Sequence, residues 1–189
     1  VLDALDTFFN EAPIEKDDCC VRTGATEIRI ACVFDDLPIQ LIIDEQHPTS
    51  LDAEHLLRND GRLEIVKVYN CAASKGKIIN TLARARHPTA AGVNDLHALK
   101  IAELRNRAQQ RGVDLSAVNQ TIKAQLRGAI WSQAADLDMA DREVSLLKES
   151  GKEVWEQIEK HFPVYAAFRS DRASTDQDSE AQDPLRAAI

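Results

Sequence analysis

Val1-Leu2-Asp3-Ala4-Leu5-Asp6-Thr7-Phe8-Phe9-Asn10 opens the chain. Leu2, Leu5, Phe8 and Phe9 recur at steps of three and four, which places them on one face of a helix. No initiator Met is present, and no Ser, Thr, Asp or Asn cap precedes the first turn. The stretch therefore reads as a helix entered part-way, the remainder of a longer unit. The other end carries the same message. Asp183 can cap free amides and Pro184 suits the first helical position, but Leu185 to Ile189 gives only about one turn, too little for a stable helix by itself.

Outward from the opening helix, residues 10–24 are polar and broken by Pro13, as in a loop. Thr26 to Phe34 alternates polar and apolar residues, the period of a half-buried strand. Asp35-Asp36-Leu37-Pro38 reads as a turn into a second strand, Ile39 to Asp44, and the two are expected to form an antiparallel hairpin. Pro48 to Asn59 predicts a short helix capped by Ser50, with Leu51, Leu56 and Leu57 turned inward. Leu63 to Tyr69 alternates again and predicts a third strand, followed by a weaker strand or turn around Lys77-Ile78-Ile79. From Asn94 to His161 three helical stripes are expected. They are His97, Ile101, Leu104 and Ala108, ended by Gly112; then Leu115, Val118, Ile122 and Leu126 toward Trp131; then Leu137, Ala140, Val144, Leu147, Gly151, Val154 and Ile158. Phe162 to Phe168 reads as a buried strand, and residues 173–183 as an acidic surface loop.

The expected fold class is α+β: a mixed or antiparallel sheet of about four strands with a helical insertion. The segments run 1–90 (antiparallel-sheet part), 91–162 (helical insertion or arm) and 163–189 (returning strand, acidic loop and the start of a helix).

A net charge of −8 argues against a general polyanion binder, because non-specific nucleic-acid affinity needs basic surface. No apolar run approaches the roughly 20 residues that span a bilayer. The four cysteines, Cys19, Cys20, Cys32 and Cys71, match no zinc or redox spacing and read as free thiols in a reducing cytoplasm. Arg84-Ala85-Arg86-His87 is the best short basic patch and reads as a solvated loop beside Pro88. The acidic residues Asp171, Asp176, Asp178 and Glu180 read as solvated rather than as a cation site, since their spacing lacks the central Gly of a calcium loop. Trp131 and Trp155 read as packing anchors between helices.

An aliphatic residue followed by Leu2-Asp3-Ala4-Leu5 and the Phe8-Phe9 pair resembles the helix just after the phosphate-binding loop in RecF-like, structural-maintenance-of-chromosomes-like and overcoming-lysogenisation-defect (OLD) ATPases. The order of helix, antiparallel strands, helical insertion and returning strand is similar to the first lobe of those heads. Pro163-Val164-Tyr165 and Arg169 through Arg172 loosely fit the return point. The resemblance implies a Gly-Lys-Ser or Gly-Lys-Thr loop just ahead of Val1. It also implies ATP and magnesium as cofactors of the intact protein, pairing of heads into a homodimer, and ATP-driven handling of DNA in repair or phage defence. Gln182 would reach a nucleotide-bound magnesium, and Arg84, Arg86, Arg169 and Arg172 would contact nucleic acid or a partner.

The departures limit what this chain does alone. No G-x-x-x-x-G-K-[ST] occurs; Ser74-Lys75-Gly76-Lys77 lacks the preceding Gly and the following hydroxyl that phosphate binding needs. No Ser-Gly-Gly-Gln-like signature is present. Leu41-Ile42-Ile43-Asp44-Glu45 resembles a metal-and-water motif but comes before the helical insertion, and reads as a strand ending in a polar turn. The expectation is a partial ATPase head, cytoplasmic, without a membrane segment, with no catalytic or metal-ligating residue of its own, whose partner is the remainder of its head. The competing expectation is a non-catalytic α+β interaction module with a helical arm.

Overall fold

The computed structural model describes residues 1–20, 22, 24–44, 47–71 and 76–166. The opening stretch is helix α1 (Leu2–Asn10), ended by Glu11 in the left-handed region with φ 54°. Strand β1 (Glu27–Phe34) follows, then the short strands β2 (Leu41–Asp44) and β3 (His47–Thr49), then β4 (Leu63–Asn70) and β5 (Lys77–Pro88). Helices α2 (Ile101–Gln110) and α3 (Lys123–Ser132), strand β6 (Met139–Ser145) and helix α4 (Glu149–Glu159) follow, with short 3-10 turns at Lys16–Asp18 and Leu96–Ala98.

The architecture is α+β. Four strands form an antiparallel sheet in the order β1-β4-β5-β6, and β2 and β3 pair separately. Val66, Val68, Ile65 and Tyr69 of β4 are all buried, so β4 is apolar on both faces and takes an inner position in the sheet. Register carries Cys32, Ile65, Ala83 and Val144 across the four strands in one row. That face packs on α1 and α4 through Phe8, Leu63, Val154, Trp155 and Ile158. A second core lies between α2 and α3, built on Val93, Leu96, Leu104, Leu126, Ile130 and Trp131.

Several expectations are corrected. The β1–β2 hairpin does not form: β1 pairs with β4 and β2 with β3. Alternation marks a strand but not its partner, and the doubly apolar β4 needs a neighbour on each edge. The segment 51–55 is a series of turns rather than a helix, with His55 at φ 52°. The Ser50 hydroxyl still accepts from the Ala53 amide at 3.0 Å, and Leu51 and Leu56 are buried as expected. The weak strand at 77–79 is the start of a 12-residue strand that contains Arg84-Ala85-Arg86-His87. The alanines and arginines there have little strand preference, and pairing with β4 and β6 overrides it.

Residues 115–122 are turns leading into α3, and Gly112, at φ 67°, ends α2 as expected. The third helical stripe is split. Ala140 and Val144 belong to β6, which extends the sheet at β5, and only the part from Glu149 is helical. A spacing of four places residues on one side of a strand as well as of a helix. Residues 163–166 form no strand; the rest of that expected strand lies outside the described residues. Cys19 and Cys71, read as free thiols, are joined as a disulfide with Cα atoms 6.2 Å apart, while Cys32 is a free thiol as expected.

Candidate functional site

Helix α1 is anchored to the sheet at its carboxyl end, and the Tyr165 hydroxyl donates to the Leu2 carbonyl in its first turn at 3.2 Å. The Lys67 ammonium, on β4, donates to the Phe8 carbonyl at 2.8 Å, and the Tyr69 hydroxyl donates to the Thr7 carbonyl at 3.1 Å. These are carbonyls of the last turn, where a positive charge also meets the negative end of the helix dipole. Lys67 is buried, and its ammonium lies 5.1 Å from the Phe8 ring centre and 5.6 Å from that of Trp155, an arrangement that compensates its lost hydration. Burial raises the Tyr69 phenol well above its ordinary pKa, so it stays a donor. Phe8 is fully buried, whereas Val1 and Leu2 are exposed and no side chain caps the first turn. The amide-bearing end of α1 is thus presented to solvent while its carboxyl end is locked to an inner strand.

A second centre is polar and enclosed. Glu54, from the turns after β3, and Arg127, on α3, are each 1% exposed. The Arg127 guanidinium donates from Nε to Glu54 Oε2 at 2.7 Å and from its Nη2 to Oε1 at 2.8 Å. The Thr49 hydroxyl donates to Oε1 at 3.0 Å. Burial works to raise the Glu54 pKa, but the Arg127 charge and these hydrogen bonds outweigh it and hold the carboxyl below its ordinary value.

Three histidines surround this pair. His97 Nε2 donates to the Glu54 carbonyl at 3.0 Å and His87 Nδ1 to the His55 carbonyl at 2.9 Å. The rings of His55, His87 and His97 all pack on Trp131, with centroids 4.8, 6.1 and 5.6 Å from it. Burial pushes the His97 imidazole down to about 3, helped by the Arg127 charge and opposed by Glu54. Burial also lowers His55 and His87. The cluster is therefore one anion, one cation and three neutral imidazoles at neutral pH. It joins the two apolar cores, since Glu54 lies between Leu51 and Leu56 of the first and Arg127 between Leu126 and Ile130 of the second. No sequence motif marks it. The available signal was a charged residue inside each of two apolar runs, which burial alone turns into a pair.

Arg84 is not free for a ligand: it pairs with Glu64 at 2.6 Å and Glu143 at 3.1 Å. Arg29 reaches the same Glu143 at 2.5 Å, and Arg58 reaches Glu64 at 2.8 Å. Arg86, two positions along β5, shares the face of Arg84, is exposed, and sits opposite Asp141 in register. Gln182, Arg169, Arg172 and the acidic loop lie outside the described residues, as does Glu45. Among the described residues no three ligating side chains converge to hold a metal ion, and no helix is long and apolar enough to cross a membrane.

The family model of the AAA ATPase domain matches residues 1–189, the whole of the chain. The chain belongs to that family. No curated protein and no solved structure matches it.

Proposed function

We propose that this AAA ATPase domain is part of the head of a RecF-like or OLD-like, ATP-dependent DNA-handling protein, acting in repair or phage defence. The observation that supports the reading is α1. A helix anchored on an inner strand by Lys67 and Tyr69, with its amide-bearing end exposed, is built to follow a phosphate-binding loop, because such an end attracts anions.

The loop itself is not among these 189 residues, so the reading places Gly-Lys-Ser or Gly-Lys-Thr codons directly ahead of Val1. ATP and magnesium then belong to the intact protein, with Gln182 as the residue that reaches the magnesium. This chain alone binds neither. Its first partner is the remainder of its own head, and ATP closes two heads into a homodimer. Arg86, with Arg169 and Arg172, supplies contacts to DNA backbone or to the second head; Arg84 contributes by keeping the sheet face ordered.

Two measurements test this. The 189-residue chain is titrated with a fluorescent ATP analogue and magnesium, and no micromolar binding is expected. The same titration on the chain extended upstream by its own coding sequence is expected to bind. Micromolar binding by the short chain, or an upstream sequence without the Gly-Lys-Ser/Thr loop, removes the proposal.

A further inference from the structure

Between α1 and β1, residues 11–20 run as a strap past the end of β4. Ile14 of the strap is buried with Tyr69 and Cys71 in one small core. Its carbonyl accepts the Gly76 amide at 2.8 Å. The disulfide joins Cys19, on the strap, to Cys71, one residue beyond β4. Tyr69 and Cys71 are two positions apart on an extended segment and so face the same side. The small core also reaches α1, because the Tyr69 hydroxyl donates to the Thr7 carbonyl.

The two sulfurs differ in access. Cys71 is 1% exposed, whereas Cys19 is only half-buried. A thiolate arriving from solvent therefore meets the Cys19 sulfur first. Exposed disulfides are the labile and regulatory ones, whereas structural disulfides resist reduction by the glutathione pool. The rest of the fold does not lean on this bond, since neither larger core contains Cys19 or Cys71. Opening it removes one wall of the small core and leaves the sheet and the α2–α3 pair with their own packing. Such an opening is local rather than global.

We propose that the Cys19–Cys71 pair is a thiol–disulfide exchange site whose co-reactant is a thiol of the glutathione class, and that its redox state decides how firmly the strap and α1 are held. The exchange takes two steps. One thiolate attacks the Cys19 sulfur, the bond to Cys71 breaks, and Cys71 leaves as a thiolate that takes a proton. A second thiolate attacks the co-reactant sulfur now bonded to Cys19. Cys19 leaves as a thiolate and is protonated, and the co-reactant departs as its own disulfide. The protein gains two electrons and two protons, and two co-reactant thiols are oxidised. With the link open, the strap keeps Ile14 and its hydrogen bond but no covalent tie, and the core beside Tyr69 loosens. The Tyr69–Thr7 contact carries that loosening to the last turn of α1. Neither step requires a nucleotide, so the site stands apart from the ATPase reading.

The test uses the 189-residue chain, oxidised with glutathione disulfide and then exposed to excess reduced glutathione without denaturant. Alkylation and mass spectrometry are expected to find two newly labelled thiols, Cys19 and Cys71. Amide hydrogen exchange of residues 2–18 is expected to quicken at least about tenfold on reduction, with β5 and α3 unchanged. The double variant Cys19→Ser/Cys71→Ser is expected to exchange fast under both conditions, and Cys32→Ser to respond as the wild type does. The proposal is overturned by labelling of either sulfur in the oxidised protein, or by a pair that yields only after denaturation. It is equally overturned by α1 exchange that ignores reduction, or by exchange that rises alike across the whole chain. Should the double variant fail to fold, reduction of the wild-type protein decides.

Discussion

Arg127→Met is the perturbation that tests the enclosed charge cluster most directly. Methionine fills much of the same volume but leaves Glu54 with the Thr49 hydroxyl as its remaining side-chain donor. Two charge-assisted hydrogen bonds are lost, at 2.7 and 2.8 Å, each worth ~1.5–3 kcal/mol. Their sum agrees with the ~3–5 kcal/mol for removing one partner of a buried pair. For a chain of this size each kcal/mol moves the midpoint by ~2–4 °C, so Tm is expected to fall by roughly 6–20 °C. The double variant Glu54→Gln/Arg127→Met carries no unpaired charge and is expected to regain at least about half of that loss.

Urea unfolding followed by tryptophan fluorescence is the assay, read in Trp131→Phe and Trp155→Phe backgrounds so that the remaining tryptophan reports one core at a time. Trp131 sits in the core between α2 and α3, and Trp155 in the core under the sheet. If the pair couples those cores, Arg127→Met lowers both transitions together. A loss under ~1 kcal/mol, or a double variant as unstable as the sum of the singles, would falsify the argument.

Three further outcomes are expected. Tyr69→Phe removes the hydroxyl held by the Thr7 carbonyl and should cost ~1–2 kcal/mol while speeding hydrogen exchange in α1; unchanged α1 protection would show that the helix is not anchored there. A Cβ at Gly151 would lie 2.7 Å from the Ser145 carbonyl oxygen, whereas one at Gly128 meets nothing within 4 Å. Gly151→Ala should therefore destabilise by ~1–3 kcal/mol and Gly128→Ala, inside α3, should stabilise by up to ~1 kcal/mol, and thermal melts showing the reverse order would reject the packing of α4 on β6. Stability should fall on acidification in two overlapping windows. His97 sits at about 3 when folded against 6.5 as a free side chain, so the unfolded chain takes its proton first and stability declines as pH drops below 6.5. Glu54, depressed below 4.5 in the fold, contributes stability that is present above that value and is lost as pH falls through its lower folded pKa. Urea midpoints measured at pH values from neutral to acid check this, and His97→Gln should flatten the upper window; a midpoint that stays level down to the carboxylate range contradicts the assignment.

The elements with strong local pattern were legible. Leu2, Leu5, Phe8 and Phe9 marked α1, and the alternation in Glu27 to Phe34 and the apolar run of Leu63 to Tyr69 marked β1 and β4. Leu51 and Leu56 were placed inward correctly although their segment is turns, because burial follows composition even where helix geometry fails. The strand β5 was visible only at its first residues. Its interior mixes Ala and Arg, and what makes it a strand is the pairing on both sides. For β6 the same apolar spacing satisfied helix and strand alike.

Periodicity reports which side of a segment is apolar, and that is a property of neighbours along the chain. Capping, turn chemistry and the resemblance of the opening helix to one that follows a phosphate-binding loop belong to this local class. Partner choice does not. That β1 joins β4 rather than β2, and that Glu54 meets Arg127 across 73 residues, depends on which faces remain to be covered once the chain closes on itself. A charge in an apolar run is a cost by itself and becomes a lock only when a second element brings its counterpart within hydrogen-bond reach.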